Sequence, residues 1–250
     1  MDPPAHRPSL RSLTLDDEPT IVIWVLDLDK HTAYFNILDA LPKRGCVVCR
    51  LGHGVDIHYI TDVLYSQTTS VETRAALRKA RGFCLRHARL LDQIGHALDL
   101  SIIYQDVLIT LRQALEAPSP RQTASRRGKR QLFKALGPQA KCPACLHRAE
   151  LEAVYVETLL DHLEDAEFVA KVRSADPLCL SHYCQAAEQP VSSAQFQTLR
   201  AIQVEHWNQL IAELGEFVRK QDHRFHHETV GQEGDAWIRA IDAVIGTRAF

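Results

Sequence analysis

The chain lacks the features that would place it in several large functional classes. It has no long apolar run. Its longest purely apolar stretch, Ile21 to Leu26, is far short of the roughly 20 residues a membrane helix needs. Met1-Asp2-Pro3-Pro4 offers no basic start with an apolar segment behind it, so no secretory leader is expected and the expected location is cytoplasmic. A net charge of −2 gives no bulk attraction to nucleic acid or to an anionic membrane. There is no phosphate-binding glycine loop, no Gly-x-Ser-x-Gly elbow and no His-Glu-x-x-His pair. A thioredoxin-like strand–helix–strand context is missing too, which removes the usual setting of a thiol oxidoreductase. What remains, 46% hydrophobic and 24% charged over 250 residues, is ordinary for a soluble chain able to bury one large core or two small ones.

Against these absences stand seven cysteines, six of them in one repeated pattern. Cys46-Val47-Val48-Cys49 is followed by Cys84-Leu85-Arg86-His87. Cys142-Pro143-Ala144-Cys145 is followed at matching distance by Cys179-Leu180-Ser181-His182. The two patterns start 96 residues apart, and Tyr59 and Tyr155 occupy the same place in each. We read an internal duplication of one helical unit.

Periodicity supports a mainly α fold: two duplicated, metal-clamped three-helix units packed as one bundle, after a short N-terminal extended segment. Residues 1–19 read as a disordered arm. The β-branched stretch Thr20 to Leu26 reads as a strand without an evident partner, or as an extended segment packed on helices. The first repeat is placed at 20–116 and includes a helix ending near Leu41, then three more. Ser70 is an expected helix cap, and Gly95 an expected kink. Residues 117–141 read as a basic flexible linker. The second repeat occupies 142–221, with Pro143 just inside its first helix and Ser193 capping its last. The tail, 222–250, reads as a polar segment and then a helix.

The spacing argues for metal. Cysteines at i and i+3 near a helix start share one face. A first helix of about 20 residues rises about 30 Å, and a shorter helix would bring the chain back, so each repeat is expected to close its own clamp. The expected ligands are Cys46, Cys49, Cys84 and His87 in the first, and Cys142, Cys145, Cys179 and His182 in the second. Three sulfurs and one nitrogen make a closed tetrahedral set suited to structural zinc, two ions per chain, with no open position for hydrolytic chemistry. Two iron–sulfur clusters, in a redox or sensor protein, are the alternative. The bland reading, cysteines as buried small hydrophobes, does not account for two matched pairs.

Other groups rank lower. Cys184 could replace a ligand or be a free thiol, but reads best as a buried bystander. His223, His226 and His227 resemble a third cluster but fit polar surface better. His53, His58, His96, His147, His162 and His206 read as surface or satisfied core residues. In the tail, Asp222, Arg224, Glu228, Glu233, Asp235, Trp237 and Arg239 could line a polar pocket. The alternative is that Trp237 and Ile241 pack on the bundle while the charges pair at the surface. The basic residues of 121–134 are the sole hint of nucleic acid, and no aromatic stands among the arginines of 121–130. A protein partner is the expectation.

The segments CVVCRLG, RGFCLRHARLL, CPACLHRAELEAVYVETLL, LCLSH and the tail HRFHHETVGQEGDAWIRAIDAVIG together resemble the bacterial family DUF6062. The resemblance runs from His31 to Gly246. It implies a mostly helical protein with two Cys-x-x-Cys…Cys-x-x-His units, and it implies no established activity. His223, His226 and His227 stand where the family pattern suggests tyrosine and arginine.

Overall fold

The computed structural model describes residues 28–247 apart from 191 and 226. The expected arm and extended segment lie outside the described residues. Among the described residues there is no strand, and the protein is mainly α. The helices are α1 (Lys30–Ala40), α2 (Val47–Asp62), α3 (Val71–Ala80), α4 (Leu85–Ile94), α5 (Ala97–Glu116), α6 (Pro120–Ala124), α7 (Arg126–Leu136), α8 (Pro143–Asp161), α9 (Ala166–Ser174), α10 (Leu180–Ala187), α11 (Ser193–Lys220) and α12 (Ala236–Ile245). A π-turn, Val63–Gln67, extends α2, and a 3-10 turn, Gln232–Asp235, leads into α12.

Local chemistry explains the boundaries. Ser70 Oγ accepts from Thr73 N–H at the start of α3. Ser192, one residue before the expected cap, forms a reciprocal capping box with Gln195 on α11. Gly95, at φ +88°, ends α4 outright, so the expected kink is a break between α4 and α5. Residues 117–141, expected as a flexible linker, instead carry α6 and α7. Ser119 and Ser125 cap these helices, and Gln139 N–H donates to the Lys79 carbonyl at 2.8 Å. Serine caps and an outside anchor outweigh the polar composition from which flexibility was inferred.

The chain divides into two compact units that are not consecutive stretches. One is Val55–Ala149. The other joins Leu28–Gly54 to the chain from Glu150 onward. The division falls inside α2 and inside α8, so each of these helices begins in one unit and ends in the other.

The first unit's core gathers Ile60, Val63, Leu64, Leu77, Phe83, Leu90, Leu91 and Ile103, with Cys142 and Ala144 among them. In the second, Leu210 of α11 packs with Ala236 and Ala243 of α12. Tyr34 of α1 stacks on His162 and Phe168 at ring-centroid distances of 4.4 and 5.7 Å.

Candidate metal centres

Two quartets of ligand-type side chains assemble, one inside each compact unit. Cys84, His87, Cys142 and Cys145 form the first. Cys46, Cys49, Cys179 and His182 form the second. Within each, the four ligand atoms all lie within 4.8 Å of one another. Every residue singled out for metal is in one of the two groups. The expected pairing is corrected, however: each Cys-x-x-Cys meets the Cys-x-x-His of the other pattern.

Helix length gives the reason. The returning helix α3 has 10 residues, a rise of about 15 Å, roughly half of what the chain gained along α2 and its π-turn. The start of α4 therefore falls level with the middle of α2, where His87 meets Asp56. The 9 residues of α9 fall short of α8 in the same way, and His182 meets Glu152 in mid-helix.

The distances describe compact tetrahedra. In the first quartet, His87 Nδ1 lies 3.1, 3.4 and 3.6 Å from the sulfurs of Cys84, Cys145 and Cys142, and Cys84 Sγ lies 3.6 Å from Cys145 Sγ. In the second, His182 Nδ1 is 3.2 Å from Cys179 Sγ and 3.4 Å from both Cys46 and Cys49, with 3.7 Å between the Cys49 and Cys179 sulfurs. A tetrahedral zinc with ordinary bond lengths has S···S edges of about 3.8 Å and S···N edges of about 3.5 Å. The donor set and its spacing thus suit one ion per quartet.

Cys84 and Cys179 occupy the N-cap positions of α4 and α10 in extended conformation, and neither sulfur caps its own helix. Each sulfur is therefore available to a shared ion beside a helix start.

Left to themselves, these crowded groups share protons unevenly. Burial and the charge of Cys142 push Cys145 up to about 12. Cys142, despite burial, is brought down to about 7 by His87 and by backbone N–H groups. Cys46 is raised well above the ordinary thiol value by Cys179 and Cys49, while Cys179 is lowered by hydrogen bonds from the same two partners. Burial opposes charge on His87, but Asp56 and Cys142 outweigh it and raise the imidazole to about 10. Burial likewise opposes charge on His182, and Cys179, Cys49 and Glu152 raise it to about 11. A divalent ion would replace this partial protonation with full ligand charge.

Behind each histidine stands a carboxylate that the sequence reading missed. His87 Nε2 donates to Asp56 Oδ1 at 2.9 Å, and His182 Nε2 lies 3.3 Å from Glu152 Oε1. These contacts fix Nδ1 as the nitrogen turned toward the sulfurs. Both carboxylates stand ten residues after the first cysteine of their pattern, so the signal was present in the repeat. Asp56 is wholly buried and also accepts from Arg148 Nη1 at 2.5 Å, with Arg86 at 3.2 Å.

The tail closes over the second quartet. Cys46 N–H donates to Thr247 Oγ1 at 2.9 Å. A Cβ on Gly246 (φ +94°) would come within 3.2 Å of Cys49 Sγ, so this close approach requires glycine.

Six of the seven polar tail residues pair their charges. Arg224 pairs with Asp222 at 2.7 Å, Glu228 with Arg219, and Glu233 with Lys220 at 2.7 Å. Arg239 bridges Asp235 and Glu213, while Trp237 is half-exposed. Arg239 lines a cavity. His223 is exposed, beside Asp222, and His226 lies outside the described residues. Cys184 is exposed and belongs to neither quartet. No described helix is long and apolar enough to cross a membrane.

A relative from Caldicellulosiruptor sp. (strain Rt8B.4), described as an uncharacterized 23.9 kDa protein in the xynA 3' region, is 24% identical over 214 residues. The match covers 85% of this chain and 100% of that protein. No solved structure matches the chain. The model of the family of unknown function DUF6062 matches residues 31–249, with both quartets inside that span, and the chain belongs to this family.

Proposed function

We propose that each quartet holds one structural zinc ion, and that the protein is a duplicated, non-enzymatic cytoplasmic scaffold acting through protein contacts. The observation that carries this reading is the packing of three sulfurs and one nitrogen at single-ion edge lengths in both quartets. In an iron–sulfur cluster the ligands attach to different irons, and ligand atoms on separate irons stand well apart. Four protein ligands leave no position for a substrate or a hydrolytic water. The ion would join helix starts distant in sequence, and its binding energy would be folding energy. Exposed Leu98, Leu108 and Leu115 on α5 offer apolar surface to a partner protein.

Elemental analysis with an absorption spectrum on anaerobically purified protein tests the reading. Two zinc per chain in a colourless sample is expected, with cooperative loss of helical signal on chelation. Visible absorbance with acid-labile sulfide would establish the cluster alternative instead.

A further inference from the structure

Beside the second quartet lies a cavity of about 400 Å³, between the start of α2 and the inner side of α12. That volume suits a small organic molecule. Three guanidinium side chains line it, and two are already balanced. Arg44 pairs with Asp235, and Arg239 with Asp235 and Glu213. Arg50 is different. Its Nε is buried without a hydrogen-bond partner, and among the described residues it makes no ion pair.

Two carboxylates also line the cavity, and an anionic ligand must be held away from both. Asp176 accepts from Gly45 N–H at 2.5 Å, and Asp242 has its own interaction. Ile238 and Ala243 of α12 supply an apolar wall. A guanidinium without an ion pair beside an apolar lining suits a ligand with one anionic end and one apolar end.

We propose that this cavity binds a small monocarboxylate, with Arg50 holding the carboxylate and Ile238 and Ala243 contacting its apolar part. The proposal goes beyond the scaffold reading and gives the C-terminal helix a ligand to enclose. A planar guanidinium donates to both oxygens of a carboxylate, and the apolar wall disfavours inorganic phosphate.

The test uses the metal-loaded full chain, titrated with acetate, butyrate, hexanoate, benzoate and inorganic phosphate by calorimetry and ligand-observed NMR. Saturable binding of one or more carboxylates with an apolar part is expected, at least tenfold tighter than phosphate. Arg50→Gln should weaken it at least tenfold. Ile238→Trp, which fills the cavity from α12 and replaces no proposed metal ligand, should do the same. Metal content is measured on every sample, so failure of the zinc reading shows separately in that number. No saturable carboxylate binding, preference for phosphate, or unchanged binding in either variant would overturn the proposal. So would an Arg50→Gln protein that loses its metal while Ile238→Trp binds carboxylate normally, since Arg50 would then serve only as a counter-charge to the thiolates.

Discussion

The two quartets have the same four ligand types and the same helix-start geometry, yet they differ in what covers them. In the second, all four residues are buried, because Gly246 and Thr247 lie against it. In the first, Cys84 and Cys145 are half-buried. The supporting carboxylates differ in the opposite sense. Asp56 is fully buried and holds both His87 and Arg148, while Glu152 stands farther from its histidine. Ligand identity alone therefore does not set the properties of a site. Access is decided by the covering segment, and rigidity by the groups behind the histidine.

The largest expected effect tests the exchanged pairing itself. Cys46→Ser combined with Cys179→Ser disables one quartet and should leave one zinc per chain. Cys46→Ser combined with Cys84→Ser disables both and should leave none. Each emptied unit should lose at least about 5 kcal/mol of stability. Elemental analysis and thermal melting read both quantities, and the reverse metal counts would restore pairing in chain order.

Next come the carboxylates. Asp56→Leu strands buried Arg148 and frees His87, at a cost of roughly 3–5 kcal/mol, seen in denaturant melts. Glu152→Gln keeps a hydrogen-bonding group near His182 and should weaken metal at the second quartet by about 10-fold, the low end for such partners. Equal effects of the two substitutions would erase the asymmetry argued above.

Acid should strip both sites. His87 and His182, raised to about 10 and 11, and Cys145, raised to about 12, carry protons at neutral pH that an ion must displace. Zinc binding at pH 7.5 should release protons from each quartet, measured by calorimetry in buffers of different ionisation enthalpy, and affinity should climb from pH 5 to 8. In stripped protein the sign reverses. Raised histidine pKa values stabilise the fold fully below the ordinary value of 6.5, and that contribution disappears as pH rises through about 10 to 11.

The smallest effect is kinetic. A thiol reagent should label exposed Cys184 first, then Cys84 and Cys145, and the second quartet last, as peptide mass mapping would show. Gly246→Ala should abolish the delay at Cys49 by crowding its sulfur, with the first quartet unchanged.

Much of this was legible in the chain. Helix boundaries followed from local signals such as Ser70 and Pro143, because capping and periodicity act over a few residues. The helices within 117–141 went unread because Ser119 and Ser125 act as caps within a basic stretch that composition alone marks as loose. The roles of Asp56 and Glu152 were written in their equal offset from the first cysteine, but only a folded neighbour, His87 or His182, gives a carboxylate that meaning.

By itself, the sequence determined which residues bear metal-ligand chemistry and which segments are helical, since both depend on side-chain type and short-range spacing. Only the tertiary structure decided which pair meets which. Two equivalent cysteine pairs and two equivalent Cys-x-x-His segments permit either combination. The choice rests on about 15 Å of missing return along α3 and α9, a distance that becomes visible once the helices have packed.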